Sequence, residues 1–341
     1  MQRKHFLGTL STLFAGSLLP ARAAAMPAVD DRKIVLPPYL RPGALIGITS
    51  PAGTIKEEEL KPALLQLEAW GFRVRIGSSI GKKDFTLGGT DDERCTDLQQ
   101  MLDDPELGAI LCARGGYGSV RIVDRLNWTR FRRKPKWVIG FSDITVLHSH
   151  IHQQCGVASI HSKMCNSFPD DWEKAEPIQR ETILSIRDAL TGQPVRIQAQ
   201  PHPQNRAGSA DGQLVGGNLK MLETLAGTPS DIDTKGKILF VEDTGEYAYS
   251  IDRAFENLRR SGKLEKLAGL IVGGFKLKPD DPGEEFGRTV ADIVREKTAG
   301  KTYPLCFDFP VGHQRANFAL RCGQRHRLTV TDSGSTLTDL S

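Results

Sequence analysis

The six cysteines of this sequence form no Cys-x-x-Cys pair. Cys95, Cys112, Cys155, Cys165, Cys306 and Cys322 are scattered along the chain, which excludes the spacings of zinc ribbons and thioredoxin-like redox sites. Cys112 lies inside the apolar run GAILCA and reads as a buried core thiol. Beyond the N-terminal segment no run is long and apolar enough to cross a bilayer, so no integral membrane helix is expected in the mature chain. Internal repeats and low-complexity tracts are also missing. Excess charge of one sign is lacking too. With residues 1–25 set aside, 42 basic side chains face 41 acidic ones. That balance disfavours an electrostatic partner such as nucleic acid or a membrane surface.

Residues 1–25 are set aside because acid is absent there: the first acidic residue is Asp30. Arg3 and Lys4 precede an apolar, small-residue run from Phe6 to Leu19, which Pro20 breaks. Ala21-Arg22-Ala23 and Ala23-Ala24-Ala25 both offer small residues at the −3 and −1 positions of a cleavage site. This is the layout of a cleaved signal peptide. The segment RKHFL also resembles a twin-arginine export signal with Lys for the second Arg. The chain is therefore expected to be exported, with the periplasm as its destination.

A chain of 341 residues exceeds what one core usually supports, so two domains are expected. From residue 34 to 165, short apolar segments (GALIGITSPAG, RVRIG, LGAILCA, WVIGF) alternate with segments of helical spacing. Without hairpin signals, that alternation implies a parallel sheet covered on both faces. Residues 166–210 include most of the polar stretch QAQPHPQNRAGSADG and read as a connector. Residues 211–341 hold further strands, among them GKILFVEDTGE and LAGLIVGGF, and the helix SIDRAFENLRRSGKL.

In an open α/β sheet, functional side chains gather beyond the carboxyl ends of the strands. Ser142, in VIGFSDIT, stands between an apolar strand and a helix. A nucleophile elbow wants that position, with Gly140 two residues earlier. The second glycine of the hydrolase pattern is replaced by Ile144, and a helix N-cap explains Ser142 equally well. The turn ARGGYGS bares the N–H groups of Gly115, Gly116 and Gly118, suited to an oxyanion hole, to phosphate or to a plain tight turn. Arg121 occupies the third-glycine position of a dinucleotide fingerprint, which excludes that reading. Glu242 ends the strand ILFVEDTGE, with Asp243 and Glu246 as competing acids, and His313 follows Gly312 in FPVGHQRANF. A serine, an acid and a histidine at strand ends suit a triad, because serine needs a base and imidazole needs a carboxylate to fix its tautomer. His148 and His152 share a helix face without an intervening acid and are expected to be solvated rather than to bind metal. His161 follows the strand-like GVASI and is a candidate neighbour of the site.

Taken in order, SPAG (50–53), GGTDDERCTDLQQML (88–102), ARGGYGSVRIVDRLNW (113–128), VIGFSDIT (138–145), GQLVGGNLKMLETLAGTP (212–229), ILFVEDTGE (238–246), IDRAFENLRRSG (251–262) and the Gly312-His313 pair resemble the LD-carboxypeptidase family. That family of serine peptidases also includes the microcin-C immunity peptidases. The resemblance implies an α/β fold with a Rossmann-like, parallel-sheet N-terminal domain and a smaller, β-rich α/β C-terminal domain. It implies Ser142 as nucleophile, His313 as base and Glu242 as its carboxylate partner. The N–H groups of Asp143 and of a glycine in the 115–116 turn would form the oxyanion hole. The site would lie in an interdomain cleft, usually within a homodimer, and would need no metal and no cofactor. The substrate implied is a murein tetrapeptide, cut between its L-centred diamino acid and the terminal D-Ala. Arg114 is a candidate for binding substrate carboxylate. Two departures bear on substrate detail: HSKM (161–164) where relatives often read His-Gly-Pro, and LRCG (320–323) where they carry Leu-Pro-x-Gly. The rival readings are an acyl-adenylate amidase of the microcin-C immunity type and a non-catalytic periplasmic murein-peptide binding protein.

Overall fold

The structure is a computed structural model and describes residues 33–340. The expected signal segment lies outside the described residues. Five strands belong to the first half of the chain: β1 (Leu45–Thr49), β2 (Arg73–Ile76), β3 (Leu107–Cys112), β4 (Trp137–Gly140) and β5 (Ser159–His161). Eight follow: β6 (Arg196–Ala199), β7 (Gly208–Asn218), β8 (Ile238–Thr244), β9 (Gly269–Lys276), β10 (Leu305–Cys306), β11 (Leu320–Cys322), β12 (Arg325–Thr331) and β13 (Gly334–Asp339). The longer helices are α1 (Lys61–Ala69), α2 (Asp91–Asp103), α3 (Ser119–Ile122), α4 (Thr129–Arg133) and α5 (Thr145–His150) in the first half. In the second half they are α6 (Pro177–Thr191), α7 (Leu219–Thr224), α8 (Ala248–Arg260) and α9 (Val290–Lys297).

The first sheet has the order β11-β5-β4-β3-β1-β2. Its first five strands in the chain are all parallel, and only β11 pairs antiparallel, Leu320 to Cys322 against His161 to Ser159. Side chains alternate across the sheet with the two-residue period of a strand. Ile46, Ile48, Ala109, Leu111, Trp137 and Ile139 pack on one face under α1 and α6. Leu45, Ile110, Cys112 and Val138 pack on the other under α2, α4 and α5. Continuous apolar strands such as GAILC follow directly from burial on both faces.

The second sheet has the order β10-β9-β8-β7-β12-β13-β6. Strands β10, β9, β8 and β7 are parallel, whereas β7, β12, β13 and β6 pair antiparallel. Val215, Leu239, Val241, Leu270 and Val272 pack against α8 and α9. The opposite face, with Leu214, Ile238, Phe240 and Ile271, meets Leu328, Val330 and Leu337 of the antiparallel strands. The stretch 166–210, expected as a connector, carries α6 and β6: α6 covers the first sheet, and β6 closes the edge of the second.

All six cysteines are free thiols, and Cys112 is fully buried. The expectation of a solvated His148 and His152 is overturned. Both are buried, and His148 donates from Nε2 to Gly140 O at 2.9 Å, bracing the end of β4 from behind. Burial moves the His148 and His326 imidazoles down from the ordinary 6.5 to about 4. Between those values the unfolded chain binds protons that the folded chain refuses, so stability falls as pH drops through this window. His326→Phe removes one such group. The slope of unfolding free energy against pH near pH 5 should fall by about 1.4 kcal/mol per unit relative to wild type. Denaturant unfolding across pH 4–7 measures it, and an unchanged slope would contradict a buried, neutral His326.

Candidate active site

Strands β2, β1, β3, β4 and β5 have the order of a doubly wound sheet whose direction of winding reverses between β1 and β3. Loops leaving the carboxyl ends of β1, β3 and β4 therefore converge over that switch point. The β1 loop, residues 50–53, donates Gly53 N–H to Gly115 O at 2.8 Å. Because the peptide is planar and trans, the following N–H, that of Gly116, points the opposite way. Helix α2 holds both loops with one buried side chain. Arg94 donates from Nη1 to Pro51 O at 2.5 Å and to Gly118 O at 2.9 Å, and from Nε to Gly89 O at 3.2 Å.

Strand β4 ends at Gly140, and Phe141 continues extended with φ −152° and ψ −173°. Ser142 then takes φ +62°, left-handed backbone that a serine adopts at a cost of about 1–3 kcal/mol. It opens the 3₁₀ turn Ser142–Ile144 and caps nothing through its side chain, so the N-cap reading fails. The sharp turn folds Ile144 back over Gly140. A Cβ there would lie 2.9–3.1 Å from the Ile144 side chain, which accounts for the glycine two residues before the serine. Asp143 turns its carboxylate inward, where Oδ2 accepts Ser119 N–H at 2.8 Å, and burial holds this carboxyl above the usual range. Among the described residues, neither Asp143 N–H nor Gly116 N–H donates to a backbone acceptor. Gly115 supplies the close approach: a Cβ on it would stand 3.1 Å from Ser142 Cβ.

The second half of the chain contributes the opposite wall. Glu242, near the end of β8, is fully buried, and its Oε2 accepts the Nδ1–H of His313 at 2.6 Å. His313 is itself 19% exposed and opens into the cavity. Gly312 makes this contact possible. It has φ +101°, and a Cβ would meet Glu242 Cβ at 2.4 Å and Oε2 at 2.8 Å. Its N–H donates to Asn317 Oδ1 at 2.9 Å, and Gly274 N–H donates to Val311 O at 2.9 Å, which ties the histidine loop to β9. The two halves meet through Thr145, whose Oγ1 accepts Asn218 N–H at 3.0 Å.

Ser142, Asp143, Gly115, Gly116, Arg114 and His313 all line one cavity of about 410 Å³. Glu242 stands behind His313 rather than in the cavity wall. Arg114 is exposed and donates from Nη1 to Thr54 O at 3.3 Å, with no carboxylate partner among the described residues. His161 is fully buried beneath the Phe141 ring, at a centroid distance of 5.8 Å, and burial keeps its imidazole neutral. Several wall residues were not singled out from sequence: Asn166, Asn218, Lys220 and Thr244, whereas the sequence marks Asp243 only as an acid competing with Glu242. Asn218 and Asp243 are joined, Nδ2 to Oδ1 at 3.1 Å, and burial raises the Asp243 carboxyl to about 6. The segment GGNLK at the end of β7 was the signal available for Asn218 and Lys220, since it too ends a strand.

A serine on a strained strand-to-helix turn, sharing a cavity with an imidazole backed by a buried carboxylate, defines the class: an α/β serine hydrolase. Sequence comparison narrows it. The model of the LD-carboxypeptidase N-terminal domain matches residues 46–162, and that of the LD-carboxypeptidase C-terminal domain matches residues 211–328. The chain belongs to the LD-carboxypeptidase family of serine peptidases. It is 32% identical over 303 residues to a probable murein peptide carboxypeptidase of Bacillus subtilis, covering 87% of this chain and 92% of that one. It is 31% identical over 284 residues to the murein tetrapeptide carboxypeptidase of Pseudomonas aeruginosa, covering 82% and 91%. The crystal structure of muramoyltetrapeptide carboxypeptidase from Oxalobacter formigenes superposes with a TM-score of 0.78 at 26% identity, covering 87% of this chain and 99% of that one. An MccF-like protein from Bacillus anthracis shares the fold, with a TM-score of 0.77 at 23% identity over 90% and 99% of the two chains.

Gly312→Ala tests the carboxylate–imidazole contact without replacing either partner, because the added methyl would press on Glu242. Backbone strain alone should cost about 1–3 kcal/mol. Displacement of His313 from Glu242 should lower kcat by about two orders of magnitude or more. Hydrolysis rates and melting curves read the two effects separately, and a variant with wild-type kcat would remove Gly312 from the argument.

Proposed function

We propose that the protein is a serine carboxypeptidase that releases terminal D-Ala from murein tetrapeptides by cutting the bond after the L-centred diamino acid. The observation that carries this reading is the left-handed Ser142 sharing one cavity with a His313 whose Nδ1–H is held by buried Glu242. Glu242 fixes the tautomer that leaves Nε2 free to accept a proton. His313 takes the proton of Ser142 Oγ as the oxygen attacks the carbonyl carbon. The N–H groups of Asp143 and Gly116 receive the oxyanion, and the Glu242 carboxylate stabilises the imidazolium. Collapse breaks the C–N bond, and His313 returns the proton to the departing amine. A water molecule, deprotonated by His313, then attacks the ester; the acid leaves and Ser142 recovers its proton. Family membership supports the peptidase chemistry, and the names of the Bacillus and Pseudomonas relatives support murein peptide as substrate.

The N-terminal signal pattern supports an exported, periplasmic enzyme that acts in murein recycling or remodelling. We also carry forward a homodimer as the working assembly. Light scattering on the purified protein tests the dimer, and a monomer mass at working concentration would refute it. Sequencing the mature N-terminus from the native host tests export, and an intact Met1 would overturn cleavage.

Ser142→Ala is the decisive variant for the chemistry. D-Ala release from purified murein tetrapeptide should fall by about three orders of magnitude or more. Activity near wild type would remove Ser142 as nucleophile. A wild-type enzyme silent on tetrapeptide would refute the substrate.

A further inference from the structure

A second, larger cavity of about 920 Å³ adjoins the nucleophile cavity, and Phe141, Asn166, Thr244 and His313 line both. Four cations face it: Lys163, Lys174, Lys276 and Arg315. Lys174 is paired with Asp171, Arg315 is paired with Glu176, and Lys276 is exposed. Lys163 differs from all three. It is half-buried, yet among the described residues it has no carboxylate within ion-pair reach. Its Nζ donates to Gln314 O at 2.7 Å and stands 5.7 Å from the centre of the Phe141 ring. Glu242 favours its charge from outside ion-pair reach, and Glu242 Oε2 is held by His313. An ammonium partly withdrawn from water with no carboxylate in contact is costly, and an anionic ligand that reaches it recovers part of that cost.

Its place on the wall identifies the ligand. In acyl transfer the histidine that takes the serine proton hands it to the leaving amine, so the leaving group lies on the histidine side of the serine. His313 packs on the Phe141 ring at 4.9 Å between centroids, and Lys163 faces the same ring and bonds the residue after His313. Arg114 lines the nucleophile cavity next to Gly115 and Gly116, the proposed oxyanion side. We propose that Lys163 binds the free carboxylate of the departing D-residue, and so makes the enzyme a carboxypeptidase rather than an endopeptidase. This assignment rests on the murein-tetrapeptide reading above. It replaces Arg114 as the carboxylate ligand on the leaving side.

The test compares murein tetrapeptide with the same peptide carrying a C-terminal carboxamide. The wild-type enzyme should prefer the free acid by about 10–100-fold in kcat/KM, the range of a charge-assisted contact. Lys163→Gln can still donate to Gln314 O but carries no charge. Lys163→Met loses both functions and fills the site with an apolar chain. Both variants should cleave acid and amide at similar rates, with the loss confined to the acid and expressed mainly in KM. Lys163→Arg should restore part of the preference. If either neutral variant keeps the wild-type acid-to-amide ratio while both rates fall together, Lys163 only supports the His313 loop and the proposal fails. A wild-type enzyme indifferent to the carboxamide overturns it as well. A wild-type enzyme inactive on both peptides overturns the substrate reading and this inference together.

Discussion

The contact between Glu242 and His313 sets the terms for everything around it. A carboxylate withdrawn completely from water must be hydrogen-bonded, and the imidazole N–H at 2.6 Å is its partner, while Oε1 has none among the described residues. Holding a ring that close leaves no room for a side chain at the preceding residue, hence Gly312. The loop that carries the pair is in turn fixed to β9 through Gly274 and to Asn317. On the facing wall the same economy of space recurs at Gly140 and Gly115, where Ile144 and Ser142 occupy the volume that a methyl group would need. The site is thus defined as much by excluded side chains as by those present.

Polar groups of α2 do for the first sheet what Gly312 does for the second. Arg94 and Asp97 lie on the buried face of this helix. Arg94 gathers the carbonyls of the loops after β1 and β3. One turn on, Asp97 accepts Thr49 Oγ1 at 2.6 Å and the N–H of Ser78 at 2.8 Å. Buried charges of this kind are weak contributors to net stability, but each has a restricted set of geometries that satisfy it. Here they specify loop conformation at the switch point of the sheet, where the Gly115–Gly116 turn approaches Ser142.

Much of this was legible in the sequence because it is written in local pattern. Apolar runs such as GAILC and WVIG became β3 and β4 within a residue or two, and the helical spacing of SIDRAFENLRR became α8. Ser142, Glu242 and His313 each stood at a strand end or beside a glycine, and strand ends are where such folds carry chemistry. What pattern could not supply was long-range pairing. Whether Ser142 capped a helix or turned an elbow depended on a backbone angle, +62°, that no spacing encodes. The burial of His148 was hidden because its partner, the carbonyl of Gly140, is a backbone atom with no signature. Antiparallel β11 was hidden for a related reason. Three residues are too few to show a period, and their partner lies some 160 positions away.

That short strand governs how the active site can move. Strand β11 begins seven residues after His313 and is stitched to β5, which is itself stitched to β4, the strand that leads into Ser142. His313 is therefore leashed to the sheet that leads into Ser142. A jaw-like swing of one half of the protein away from the other would have to tear out a strand before it widened the cleft. Widening of the cleft is thus restrained at the histidine loop. A cleft so restrained favours selectivity through its walls over selectivity through closure around the substrate.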